Sequence, residues 1–231
     1  MSKLIKLDRS IIPSCDFSSI EKLKELVKET ADVEGIGAYK IGFSLAVPYG
    51  VPKVVSVIRE VTDLPIIYDH QKAGTDIPDM ADAFMKAVKG VDAVILFPQA
   101  GPETEKAWIN ASKKAGFGVI VGGEMTHKGY LVNDGGFIAD DAPERIYELA
   151  ASLGVKDFVV PGNKPEKIKD YRELLERFKP VFYSPGLVAQ GGKLTESAKA
   201  AGSNWHAIVG RGIYEQKDMR KAAKEMVKMI L

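Results

Sequence analysis

The chain has 231 residues, with 32 Lys and Arg against 31 Asp and Glu and a formal net charge of +1. That balance excludes the basic excess of nucleic-acid and membrane-surface proteins, and no run of about 18 apolar residues is present to span a bilayer. The single cysteine, Cys15, excludes an intrachain disulfide, while the length is ample for one large core.

In chain order, short apolar runs alternate with segments of helical period. Met1–Arg9 is too polar for a signal peptide, so a cytoplasmic location is expected. Ser10–Cys15 reads as a first strand, and Ser18–Ala31 as a helix whose Ser18 and Glu21 have capping-box spacing. Gly37–Ile41 and Pro65–Asp69 read as strands two and three, followed by a helix over Pro78–Lys89. Val91–Phe97 is a fourth strand, Pro102–Ala115 a helix and Phe117–Gly122 a fifth strand. Thr126–Asp141 is the longest connection and could cover a site. Helix Pro143–Leu153, strand Asp157–Val160, helix Pro165–Phe178, strands Pro180–Tyr183 and Trp205–Val209, and helix Lys217–Ile230 complete the pattern. Four helices open with proline, where a missing N–H leaves no bond unmade.

Continuous apolar strands such as Ala93–Phe97 suit a parallel sheet covered on both faces. Eight of them alternating with helices point to an α/β fold, a (β/α)8 TIM barrel in a single domain over residues 1–231. The alternative is an open doubly wound sheet, but no Gly-rich dinucleotide fingerprint follows the first strand. In a barrel, catalytic groups stand at the C-terminal strand ends. Those ends carry Asp16, Lys40, Asp69, Phe97-Pro98, Glu124-Met125-Thr126-His127, Pro161-Gly162, Ser184-Pro185-Gly186 and Gly210-Arg211.

Two of these ends are suited to a phosphate. Ser184–Lys193 contains Gly186, Gly191 and Gly192, which let backbone N–H groups approach an anion. Ile208–Tyr214 places Arg211 directly after Gly210, where a guanidinium can grip phosphate oxygens in a fork. Either alone would read as a tight turn. Together they fall after strands seven and eight, where barrels commonly bind phosphate.

Ile66–Pro78 is the most highly charged strand end, with Asp69, His70, Lys72 and Asp76 close in sequence and Lys40 on the neighbouring strand. Such crowding perturbs pKa values at catalytic sites, but a rim of structural ion pairs would show the same pattern. His127 and His206 lack a second His or Cys at ligand spacing, so no metal site is read. His70 could be a spacer or a contact.

These segments resemble the orotidine 5′-monophosphate decarboxylase family, in its compact form, along nearly the whole chain. Tyr39-Lys40-Ile41-Gly42 is similar to the family's second-strand Lys segment, and Asp69…Lys72…Asp76-Ile77-Pro78 to its catalytic third-strand segment. Glu124-Met125-Thr126-His127 resembles the pyrimidine-contacting segment, with Thr126 where Ser is usual. Pro185-Gly186…Ala189-Gln190-Gly191-Gly192 and Val209-Gly210-Arg211…Ile213-Tyr214 resemble its phosphate loops. The family pattern Asp-x-Lys-x-x-Asp is lengthened here by one residue in each gap. Residues three apart on a regular strand face opposite sides, so Asp69 and Lys72 share a site only if the chain bulges near His70-Gln71. Otherwise the triad is broken.

The resemblance implies decarboxylation of orotidine 5′-monophosphate to uridine 5′-monophosphate, a step of pyrimidine biosynthesis, without cofactor or metal. Lys72 would protonate C6, with Asp69, Asp76 and Lys40 completing the catalytic group. Asp16 and Lys40 would hold the ribose, Thr126 and Gln190 the base, and Pro185, Gly186, Gln190, Gly191, Gly192, Gly210 and Arg211 the phosphate end. It also implies a homodimer in which Asp76 serves the neighbouring site, with a small nucleotide, and neither nucleic acid nor membrane, as partner. Two rivals remain: a Mg2+-dependent sugar-phosphate lyase or decarboxylase of the same superfamily, and a non-catalytic relative that binds nucleotide phosphates.

Overall fold

A computed structural model describes residues 3–187 and 194–230, apart from the side chain of Lys72. Eight parallel strands close a barrel: β1 (Arg9–Cys15), β2 (Tyr39–Gly42), β3 (Ile66–Ala73), β4 (Ala93–Leu96), β5 (Gly118–Gly122), β6 (Asp157–Val159), β7 (Val181–Ser184) and β8 (Trp205–Val209). Each pairs with its successor, and β8 closes onto β1 from Arg9↔Trp205 to Pro13↔Val209. The open doubly wound alternative is thereby set aside.

Alternation along the strands divides the core in two. Ile12, Ile67, Ile95, Ile120, Val159 and Ile208 fill the barrel. Their neighbours Ile11, Tyr68, Val94, Val121, Phe158 and Ala207 face outward into the layer under the helices. Burying one such aliphatic side chain contributes about 1.5–3 kcal/mol, so this period-two pattern holds the register strongly.

The helices are α1 (Ile20–Thr30), α2 (Phe43–Tyr49), α3 (Val51–Arg59), α4 (Ala81–Ala87), α5 (Pro102–Lys114), α6 (Ala142–Ser152), α7 (Pro165–Leu175), α8 (Leu194–Ala201), α9 (Arg211–Tyr214) and α10 (Met219–Ile230). α5 shows why they form: Pro102 opens it, Glu103 and Glu105 lie in its first turn and Lys113 and Lys114 in its last, matching the helix dipole. Among the described residues no helix is long and apolar enough to cross a membrane.

Several boundaries differ from the sequence expectation. The cap of α1 is Ser19, not Ser18; its Oγ accepts from Lys22 N at 3.1 Å. The helix expected over Pro78–Lys89 is a 3-10 turn, Pro78–Met80, followed by the shorter α4. Helices α2 and α3 escape a reading by periodicity: Pro48 interrupts α2, and the valines of α3 have the local propensity of a strand. The most consequential difference is β3, which runs four residues past Asp69 to Ala73.

Candidate active site

The C-terminal ends of β1, β2 and β3 bring four polar side chains together. Alternation turns Ser14, Lys40 and Asp69 to the barrel interior, and Asp16 follows where β1 ends. Lys40 Nζ lies 3.1 Å from Asp69 Oδ2, 3.2 Å from Asp16 Oδ1 and 3.2 Å from Ser14 Oγ. Ser14 Oγ in turn donates to Asp16 Oδ2 at 2.7 Å. Lys40 and Asp69 are buried. Burial by itself would lower the Lys40 pKa, but the Asp69 and Asp16 carboxylates outweigh it and hold the ammonium above its ordinary value. Lys40 is thus a fixed cation, not a proton carrier at neutral pH. Cys15 points away from the cleft, and burial pushes its thiol up, so it is no nucleophile.

β3 bulges at the place where a shared site for Asp69 and Lys72 would need it. Asp69 pairs with Ile95 and Ala73 with the next residue, Leu96, so His70, Gln71 and Lys72 are extruded from the ladder. Gln71 takes the left-handed conformation at φ 48°, rare for a residue with a side chain. Its N–H donates to Asp69 Oδ1 at 2.9 Å, closing an Asx turn. The Lys72 backbone follows directly on this turn. His70 faces outward: its Nδ1 is 2.6 Å from Tyr68 Oη, and its ring packs edge-on against Phe84.

Further round the mouth, Glu124, Met125 and Thr126 line the same cleft, which encloses about 290 Å³. Glu124 is buried, bonded by Lys164 Nζ at 2.7 Å and by the Tyr171 hydroxyl. Burial and the Glu124 charge both push the Tyr171 phenol up, keeping it a donor. Asn163 Nδ2 donates to the Thr126 carbonyl at 2.8 Å, tying the loop after β6 to the loop after β5. His127 is exposed against the ring of Tyr130. His206 lies at the opposite, N-terminal end beside Ser10, where burial pushes its pKa down to about 3.

Pro185 and Gly186 after β7, and Gly210 and Arg211 after β8, line the side of the cleft expected to take phosphate. A Cβ at Gly162 would meet the Pro185 carbonyl oxygen at 2.5 Å, so only glycine lets the loops after β6 and β7 close this tightly. Gln190, Gly191 and Gly192 lie outside the described residues.

The cleft therefore gathers Asp16, Lys40, Asp69, Thr126, Pro185, Gly186, Gly210 and Arg211. Asp76 is not among its described lining residues; it is exposed, with its carbonyl bonded by Thr104 Oγ1 at 3.1 Å. Three lining residues have no role that the sequence alone suggests. Ser14 is hidden inside an apolar strand, and Glu124 is visible only as one member of a motif. Gln71 depends on a turn that no periodicity reveals. Among the described residues no cluster of three or more His, Cys, Asp or Glu could hold a metal ion.

Comparison with known proteins places this geometry. The family model described as orotidine 5′-phosphate decarboxylase / HUMPS family matches residues 9–226. The orotidine 5′-phosphate decarboxylase of Methanosarcina mazei is 33% identical over 213 residues, covering 90% of this chain and 88% of the relative. That of Methanocaldococcus jannaschii is 30% identical over 210 residues, covering 90% and 91%. Among solved structures, the Methanocaldococcus jannaschii enzyme complexed with the inhibitor BMP superposes with a TM-score of 0.85 at 27% identity, covering 96% of this chain and 98% of the other. The Pyrococcus horikoshii enzyme gives 0.78 at 28% identity, covering 95% and 98%.

Proposed function

Because the chain belongs to the orotidine 5′-phosphate decarboxylase / HUMPS family, we propose that it is a carboxy-lyase converting orotidine 5′-monophosphate to uridine 5′-monophosphate and CO2. Its similar relatives carry the decarboxylase name and match it over nearly their whole length, and one neighbouring structure is complexed with the inhibitor BMP. The observation that carries the reading is the buried Lys40, braced by Asp16 and Asp69 in a cleft that also holds Gly210 and Arg211. A substrate with an anion at one end and a hydroxylated sugar in the middle fits that spread of charge.

In the reaction, the bond from C6 to the carboxylate breaks and CO2 leaves, with the electron pair remaining on C6. No conjugated electron sink receives it, so the site must favour this carbanion over the ground state. Lys72 supplies the positive charge beside C6 and then its proton, and water restores the ammonium. Asp69 lies near the departing carboxylate. Lys40 is held too firmly by two carboxylates to give up its own proton; with Asp16 it orients the ribose hydroxyls. Thr126 and Gln190 meet the base. Gln190, Gly210 and Arg211 take the phosphate, supported by Pro185, Gly186, Gly191 and Gly192. Phosphate binding remote from C6 supplies energy for the chemical step. The working unit is a homodimer in which Asp76 completes the neighbouring site.

The decisive experiment follows orotidine 5′-monophosphate loss by absorbance with purified protein, before and after exhaustive chelation. Turnover that survives chelation is expected. Turnover that requires Mg2+, or occurs only on a sugar phosphate, moves the chain to the other chemistry of the superfamily. Tight nucleotide binding with no turnover identifies a non-catalytic relative.

A further inference from the structure

The bulge in β3 is held on both faces, and on the inner face the Gln71 side chain adds to the Asx turn that Asp69 closes on the Gln71 N–H. On the outer face, His70 is bonded to Tyr68 and packed against Phe84. On the inner face, the Gln71 amide oxygen accepts from Phe43 N at 3.2 Å, and its nitrogen faces Asp16 Oδ1 at 3.4 Å. One side chain therefore links β3 to the chain leaving β2 and the chain leaving β1. Room for it comes from Gly42, where a Cβ would stand 2.7 Å from Gln71 Nε2 and 3.0 Å from Oε1. Gln71 also lines the cleft and holds a left-handed backbone that is strained for a residue with a side chain and persists only where the surroundings over-determine it.

We infer that Gln71 is a positioning residue: its side chain pins the inserted turn of β3 to the ends of β1 and β2, and so fixes the backbone from which Lys72 extends. The inference rests on the decarboxylase reading only for its catalytic consequence. The amide suits the task because it both accepts from a backbone N–H and donates toward a carboxylate. A carboxylate at this position could do only the first, and would stand beside Asp16 and Asp69.

The test compares wild type with Gln71→Gly and Gln71→Glu. Glycine adopts the left-handed backbone freely, so a turn held by its backbone alone would be at least as ordered in Gln71→Gly. A turn held by the side chain would loosen. Expected are faster amide hydrogen exchange over residues 69–73 and a kcat lowered on the order of 10²-fold, from displaced catalytic geometry. KM should stay within about threefold and thermal unfolding should be little changed, because the phosphate contacts lie elsewhere and Asp16, on losing Gln71, keeps its bonds from Lys40 and Ser14. Gln71→Glu should lose kcat at neutral pH and recover it, relative to wild type, as the pH falls and the new carboxyl gains a proton to donate to Asp16. Unchanged or slower exchange in Gln71→Gly overturns the clamp. Faster exchange with wild-type kcat, or a parallel fall in stability and substrate binding, overturns the positioning role. A wild type that does not consume orotidine 5′-monophosphate removes the decarboxylase reading but not the clamp, which hydrogen exchange then decides alone.

Discussion

Lys40 Nζ and Asp69 Oδ2 stand 3.1 Å apart, with side chains only 6% and 8% exposed. Removing one member of such a pair leaves a buried charge uncompensated, which costs about 3–5 kcal/mol. Lys40→Met should therefore lower the urea midpoint strongly, and Lys40→Met with Asp69→Leu should regain part of the loss. The pH dependence follows from the raised lysine pKa. Its contribution is complete below the unfolded value of 10.5 and is lost as pH rises through the higher folded value. The gap between wild type and Lys40→Met should be flat from about pH 6 to about pH 9. A gap that closes near neutrality would mean that Lys40 is not the fixed cation described.

Lys72→Ala should abolish nearly all turnover while leaving uridine 5′-monophosphate binding measurable by calorimetry. The proposed phosphate and ribose contacts lie on other strands, so binding and chemistry should separate. Near-normal turnover would take the proton-donor role away from Lys72.

Arg211 lines the cleft, and the charge-assisted phosphate contact proposed for it would be worth about 1.5–3 kcal/mol. Arg211→Ala should raise KM by roughly 10- to 100-fold, with any fall in kcat reporting phosphate-driven activation. Unchanged kinetics would place the phosphate elsewhere.

Glu105 on α5 is buried against α6, and its Oε1 has no hydrogen-bond partner among the described residues. Burial raises its pKa to about 8 from 4.5, partly offset by the α6 backbone at Ala150. The folded state thus keeps a proton that the unfolded chain has released, and stability falls as pH rises from 4.5 through 8. Glu105→Gln removes this penalty. Its melting temperature should match wild type near about pH 5 and exceed it increasingly towards about pH 9. A constant difference across that range would show that Glu105 does not titrate in the fold.

How much of this is legible in the sequence follows from where each constraint acts. Lys40, Asp16 and Arg211 can be read because a barrel gathers its strand ends on one face, and period-two alternation adds that Lys40 points inward. The need for a bulge can also be read, since Asp69 and Lys72 cannot share a face on a regular strand. Its holder cannot: Gln71 works through a left-handed turn and a gap over Gly42, both set by tertiary packing. Glu124 is visible as a motif residue, but Lys164 and Tyr171, its partners, lie 40 and 47 residues further along. Helices α2 and α3 are obscured by local propensity that the barrel overrides.

Asp76 is the residue proposed to serve the neighbouring subunit's site. It follows the end of β3 at Ala73 by three residues, not the end at Asp69 by seven, so the reach from its own barrel is shorter than the sequence implied. Trp108 Nε1 bonds the Ile77 carbonyl at 3.2 Å and Thr104 Oγ1 the Asp76 carbonyl, which draws this segment over α5. Asp76 is exposed there, flanked by Ile77 and Met80 at 58% and 43% exposure, a surface suited to cover by a second copy. In an isologous dimer each subunit would give one Asp76 and receive one. Lys72→Ala and Asp76→Ala homodimers should then each be nearly inactive. A mixed dimer carries both lesions in one site and neither in the other. Subunit exchange between the two variants should restore up to about half the wild-type activity per mixed dimer. Exchange can be verified independently with a mass-tagged partner and native mass spectrometry. Verified exchange with no recovered turnover would place Asp76 in its own barrel or outside the chemistry altogether.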